Sequence, residues 1–204
     1  MPDYARTFVS ESLDVLRAVD ANALDRLAAG LARVRERGGR LFVLGVGGSA
    51  GHASHAVNDF RKLCGIEAYA PTDNVSELTA RINDEGWDSS LTGWLEVSRL
   101  GPDDALLVFS VGGGDEVRGI SPNLVRAVDM ARSVGAAVFG IVGRDGGHTA
   151  RVGDEVVVIP PLFPEHVTPH TEGLCAVLWH LLVSHPDLQQ VSTKWEGADP
   201  GPAS

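Results

Sequence analysis

Cations are scarce in this chain. Among its 204 residues, Lys and Arg number 17 against 27 Asp and Glu, a net charge of −10. Nucleic acid is held by clustered cations that displace counterions, so this balance speaks against a polynucleotide ligand. A single phosphate stays open, because backbone N–H groups can hold one without net positive charge. Long apolar runs are also missing: no 18 consecutive apolar residues occur, and no membrane span is expected. The start, Met1-Pro2-Asp3-Tyr4, lacks the basic and apolar regions of a secretory leader. Only two cysteines are present, and Cys64 and Cys175 stand far apart with no Cys-x-x-Cys pattern. That usage reads as reduced thiols in a cytoplasmic protein. Internal repeats and an interdomain linker are lacking as well.

What remains is an ordinary soluble composition, with 44% hydrophobic and 22% charged residues. Phe8, Leu13, Leu16 and Val19 recur at helical spacing, and a second helix runs from Ala23 to Arg37 until Gly38-Gly39 ends it. The period then changes. Leu41–Leu44, Leu106–Phe109, Ala137–Val142 and Val156–Ile159 are short continuous apolar runs, as strands buried on both faces would be. Helical stretches separate them at Ala50–Leu63, Pro122–Val134 and about Thr171–Val183. This alternation predicts a parallel sheet with helices on both faces. One domain over residues 1–190 is expected, with helices in 1–38 and a loose tail over 191–204.

Two of the strands run directly into small-residue turns. Leu44-Gly-Val-Gly-Gly-Ser49 opens the helix near Ala50, which places Gly47, Gly48 and Ser49 at its start. Phe109-Ser-Val-Gly-Gly-Gly114 follows another strand, and Ser121-Pro-Asn123 begins the next helix with a serine N-cap. Ligands of open parallel sheets sit beyond the carboxyl ends of the strands, where helix N-termini present free N–H groups. One glycine turn is ordinary strand-to-helix geometry. Two such turns, carrying Ser49, Ser110 and Ser121, point to a bound anion. Neither turn carries a convincing dinucleotide fingerprint or the lysine of a P-loop, so a sugar phosphate fits better than a nucleotide.

The helix after the first turn carries His52, His55, Asp59 and Arg61. His55 and Asp59, four apart, share one face about 6 Å from each other. They can hold a divalent metal, pair an acid with a base, or form a plain surface ion pair. Toward the C-terminus, Glu172 and His180 flank an apolar stretch. Histidine in such a stretch is commonly a satisfied core residue. Eight residues separate the two, about 12 Å on a straight helix. One helix therefore cannot bring both to one metal, unless it begins after Glu172 or the two serve different sites or different copies of the chain.

Gly45-Val-Gly-Gly-Ser-Ala50, His55, Asp59, Asn83-Asp84, Phe109-Ser110, Ser121-Pro-Asn123, Gly143-Arg-Asp-Gly-Gly147 and His180 follow one another in an order that resembles the sugar-isomerase (SIS) fold. Within it they resemble the phosphoheptose isomerases. The resemblance implies a five-stranded parallel α/β/α sheet of flavodoxin-like type, an N-terminal helix used in oligomerisation, and a homotetramer with sites between subunits. It implies isomerisation of sedoheptulose 7-phosphate to D-glycero-D-manno-heptose 7-phosphate through an enediol, for heptose nucleotide-sugar biosynthesis. It also implies a divalent metal, zinc in some members.

Carried onto this chain, the resemblance makes Ser49, Ser110 and Ser121 phosphate ligands beside Gly47 and Gly48. It makes Asp59 the base in the place of a glutamate, His180 its acid/base partner, and Asp84 a neighbour of the substrate hydroxyls. The metal would sit on His55, Asp59, Glu172 and His180, with Glu172 standing where glutamine is usual. The loop Ser110–Ser121 departs from the family pattern: it is longer and lacks two hydroxyls, and Arg118 offers a compensating contact. The competing expectation is a non-catalytic SIS protein that binds a sugar phosphate as a regulator or assembly factor.

Overall fold

The computed structural model describes residues 3–192. Five parallel strands form its sheet: β1 (Leu41–Leu44), β2 (Ala68–Tyr69), β3 (Ala105–Ser110), β4 (Ala137–Val142) and β5 (Glu155–Val158), in the order β2-β1-β3-β4-β5. Period-2 alternation divides their side chains between two cores. Leu41, Val43, Leu107, Phe109 and Ile141 face one helical layer, while Phe42, Leu44, Leu106, Val108 and Val138 face the other. The first layer comprises α1 (Tyr4–Arg17), α2 (Ala21–Glu36), α3 (Gly48–Cys64) and α8 (Val167–Val183). The second is built mainly from α5 (Ser90–Val97) and α6 (Pro122–Val134). Short helices α4 (Val75–Asp84) and α7 (Gly147–Val152) complete the order. The architecture is the expected three-layer α/β/α sheet.

The sheet positions the site through its order. Strand succession reverses between β1 and β3, so the connections leaving these two neighbours diverge and open a crevice at their carboxyl ends. Both glycine turns lie there. Several elements differ from the sequence reading. β2 is two residues long and carries no apolar run. α8 begins at Val167 rather than Thr171, because Pro169 falls in its first turn, where no i−4 hydrogen bond is lost. Ser121 is not a side-chain cap: it sits at φ 50°, in the left-handed region, and its hydroxyl makes no capping bond. Among the described residues no helix is long and apolar enough to cross a membrane. From residue 193 onward the expected tail, with Trp195, lies outside the described residues.

Cys64 and Cys175 are free and buried, and burial pushes both thiols up to about 12. Such thiols stay protonated and inert near neutrality.

At the opposite end of the strands a buried carboxylate fastens the sheet. Asp104 Oδ1 accepts from Arg40 N at 2.9 Å and Nε at 3.1 Å, while Oδ2 accepts from Arg40 Nη2 at 2.7 Å and Gly101 N at 2.9 Å. Burial works to raise its pKa, but the bonds from Arg40 and Gly101 outweigh that and hold the carboxyl below its ordinary value. The ionised form is thus preferred in the folded state. Its stabilisation is present above the ordinary carboxylate range and is lost as pH falls through the lowered folded value. Asp104→Ala leaves Arg40 without this partner and should cost about 3 kcal/mol in urea unfolding at neutral pH. The deficit should shrink as the acid limb is approached.

Candidate active site

Two groups of side chains lie at different places along α3. The first surrounds a cleft of about 410 Å³ at the carboxyl ends of β1 and β3, lined by Ser49, Ser110 and Ser121 among others. α3 begins at Gly48, so the unpartnered N–H groups of its first turn belong to this end. Ser110 Oγ accepts from Gly113 N at 3.0 Å and Gly112 N at 3.3 Å. Its own O–H is thereby left to donate into the cleft. Arg118 and Arg144 line the same space, as do Asp115, Asp145 and Glu172. Arg118 is held near Asp115 at 3.4 Å, in a loop closed by paired backbone bonds between Asp115 and Ile120. Arg144 and Asp145 are brought here by the turn after β4.

Glu172 enters the cleft from the first half of α8. A Cβ on Gly48 would stand 2.8 Å from Glu172 Oε1, so a side chain there would displace the carboxylate from its present place beside the turn.

The second group is His55, Asp59 and His180. α3 and α8 pack side by side, and the three donor atoms lie within 4.8 Å of one another. His55 Nε2 is 3.7 Å and His180 Nε2 3.9 Å from Asp59 Oδ2. His180 Nδ1 contacts Ala176 O at 2.7 Å, a bond in which the imidazole must donate. A neutral His180 therefore presents a bare Nε2 to the cluster. Asn58 Nδ2 donates to Asp59 Oδ1 at 2.8 Å and orients the carboxylate. His180 is half-exposed rather than a core residue. Its neighbour Trp179 takes the core position, with its ring stacked 3.5 Å from the His180 ring and in edge contact with His55 at 4.7 Å. Trp179 is thus the wall that holds both imidazoles.

Two of the expected groupings do not form within one chain. Glu172 is apart from the His55–Asp59–His180 group, because both it and His180 lie on the single helix α8, where eight residues rise about 12 Å. The four-ligand metal set is therefore three residues here. Asp84 ends α4, where Asn83 Nδ2 donates to it at 2.6 Å, and it does not line the cleft.

The chemistry of the three-residue group fits a divalent metal. Two imidazole nitrogens and one carboxylate oxygen leave a coordination position open, as catalytic zinc sites do. Tetrahedral bonds of about 2.0–2.2 Å space donors roughly 3.3 Å apart, so closing the observed gaps takes only a small inward movement. The backbone bond to His180 Nδ1 is the outer partner that metal-binding histidines use.

The SIS domain family model matches residues 4–143, which makes this parallel β2-β1-β3-β4-β5 sheet, with serine-bearing glycine turns at its switch point, a sugar-isomerase (SIS) domain. A phosphoheptose isomerase from Trichlorobacter lovleyi is 32% identical over 190 residues, covering 87% of this chain and 91% of that protein. One from Rhodospirillum rubrum is 31% identical, covering 89% and 95%. The structure of phosphoheptose isomerase GmhA from Neisseria gonorrhoeae superposes with a TM-score of 0.77 at 24% identity, covering 90% of this chain and 97% of that one. The chain belongs to the phosphoheptose isomerase family, a family of phosphosugar isomerases.

Proposed function

We propose that this protein interconverts sedoheptulose 7-phosphate and D-glycero-D-manno-heptose 7-phosphate through an enediol, in the cytoplasm, as a step toward heptose nucleotide-sugars. The observation that carries this reading is the convergence of His55, Asp59 and His180 on one point. A site that only binds a sugar phosphate needs no such group, which disfavours the regulator or assembly reading.

In the proposed reaction Ser49, Ser110, Ser121 and the amides near Gly47 and Gly48 hold the phosphate. Asp59 removes a proton from C1 of the ketose, and the electron pair forms the C1–C2 double bond of the enediol as O2 gains a proton. Return of a proton to C2 and loss of the O1 proton complete the aldose. His180 Nε2 moves the proton between the oxygens, and Glu172 is the alternative base. His55, Asp59 and His180 would also suit a divalent metal, zinc by donor type, whose charge would polarise the carbonyl; with it bound, Asp59 and His180 Nε2 would serve as ligands and Glu172 would take the proton instead.

Reach decides how the two groups cooperate. From Ser49 to Asp59 α3 rises about 15 Å. Extended sedoheptulose 7-phosphate spans about 9 Å from C1 to phosphorus by ordinary bond lengths. The reading therefore takes the cleft from one subunit and the acid–base group from another, in a homotetramer. Purified protein given sedoheptulose 7-phosphate should form the aldose, and a chelator should lower the rate until zinc is returned if the metal takes part. Ser110→Ala and His180→Ala chains, each inactive alone, should regain part of the activity when refolded together. Absence of product with and without metal, alongside tight ligand binding, would return the regulator reading.

A further inference from the structure

A second cluster joins α1 to α8 and takes no part in the proposed isomerisation. His166 Nδ1 is 2.6 Å and His170 Nε2 3.1 Å from the same oxygen, Oε2, of Glu11. These residues come from opposite ends of the chain, and their donor atoms lie within 4.8 Å of one another. Phe8 lies tilted against His170, ring centroids 4.5 Å apart, and covers one side. His170 is buried, and its remaining nitrogen, Nδ1, is 3.3 Å from Ser12 Oγ.

Ser12 has one hydroxyl proton, and it goes to Phe8 O at 2.8 Å. With that proton on Phe8 O, the contact with His170 is one that Nδ1–H donates. Neutral His170 then points a bare Nε2 lone pair at the Glu11 carboxylate. Two acceptors at hydrogen-bond distance repel, so a positive charge has to stand between them. We propose that Glu11, His166 and His170 form a divalent-cation site of the zinc and cobalt class, which clasps the N-terminal helix α1 onto α8.

The donor set suits this class, since imidazole and carboxylate together select zinc-like ions over calcium or magnesium. Ser12 on His170 and Tyr4, whose hydroxyl is 3.4 Å from His166 Nε2, supply the outer partners that fix imidazole ligands. Metal-bound donors would sit about 3.3 Å apart, so Glu11 must retreat by less than 1 Å. Both Glu11 and His166 are only partly buried, which leaves them free to do so.

The test uses the full chain carrying His55→Ala and His180→Ala, so that the first cluster cannot bind. Cobalt titration should saturate at one ion per chain with visible d–d absorption. Adding Glu11→Gln, or separately His166→Asn, should weaken binding about a hundredfold or more and abolish the zinc-dependent rise in Tm. Circular dichroism of the metal-free variants reports their fold, and His166→Asn, on a partly exposed turn, serves if Glu11→Gln does not fold. Cobalt binding that neither substitution weakens would overturn the proposal. So would no binding at all; nitrogen-15 shifts showing His170 protonated at both ring nitrogens near neutral pH would then identify the occupant as a proton.

Discussion

Replacing Asp59 by asparagine should lower kcat for sedoheptulose 7-phosphate by about 10³-fold or more, the range for loss of a positioned general base. KM should stay within about threefold, because the phosphate is held elsewhere and contributes equally to ground and transition states. Asparagine keeps the volume and can still meet Asn58, so the Tm should scarcely move. Exchange of substrate hydrogen with deuterated solvent, followed by mass spectrometry, reads the same step without the product assay. Loss of turnover with exchange intact would mean that proton removal belongs to Glu172. Wild-type kcat in the variant would remove Asp59 from the mechanism. Asp59→Glu is the informative companion: it restores the carboxylate on an arm one methylene longer, and should recover a measurable part of the rate only if the His55–Asp59–His180 group tolerates that reach.

The parts of this molecule that were legible before its structure are those whose physics is local. β1, β3 and β4 are apolar runs because strands buried on both faces need no polar side, β5 is a largely apolar edge strand, and the glycine turns declare themselves by composition. β2 has only two residues, and one of them is exposed, so no pattern could mark it. α4 has no buried residue and α5 only eight residues, too little periodicity to read against their polar neighbours. The site divides in the same way. His55 and Asp59 share a helix face by spacing alone. Their meeting with His180, the presence of Arg144 and Asp145 in the cleft, and the role of Trp179 as a wall depend on how α3, α8 and the β4 turn pack. Ser121 illustrates the limit: Ser-Pro is a sound helix start, yet the loop before it forces a left-handed backbone that turns the hydroxyl away from capping.

That loop also underlies the second large effect, at Gly147→Ala. Gly147 opens α7 with φ +55°, and an added Cβ would collide with the carbonyl oxygens of Gly112 and Gly114. The same short loop is docked by His148 N to Gly114 O at 2.8 Å, by Thr149 N to Gly113 O at 2.9 Å, and by Thr149 Oγ1 to Gly113 O at 2.8 Å. No flexible side chain can yield here, so residues 112–114 must move as backbone and carry the Ser110 wall of the cleft with them. The left-handed conformation costs an L-residue about 1–2 kcal/mol and the overpacking about 1–3 kcal/mol, for a loss near 3 kcal/mol in urea unfolding. Because the displaced loop forms the phosphate side, affinity for inorganic phosphate should fall by about tenfold or more. Gly173→Ala supplies the contrast. A Cβ on Gly173 meets nothing within 4 Å, and this helical glycine should gain about 0.5–1 kcal/mol on becoming alanine, with phosphate binding unchanged. Equal behaviour of the two variants would mean that the 112–114 loop is free to shift, and that the cleft does not depend on its packing against α7.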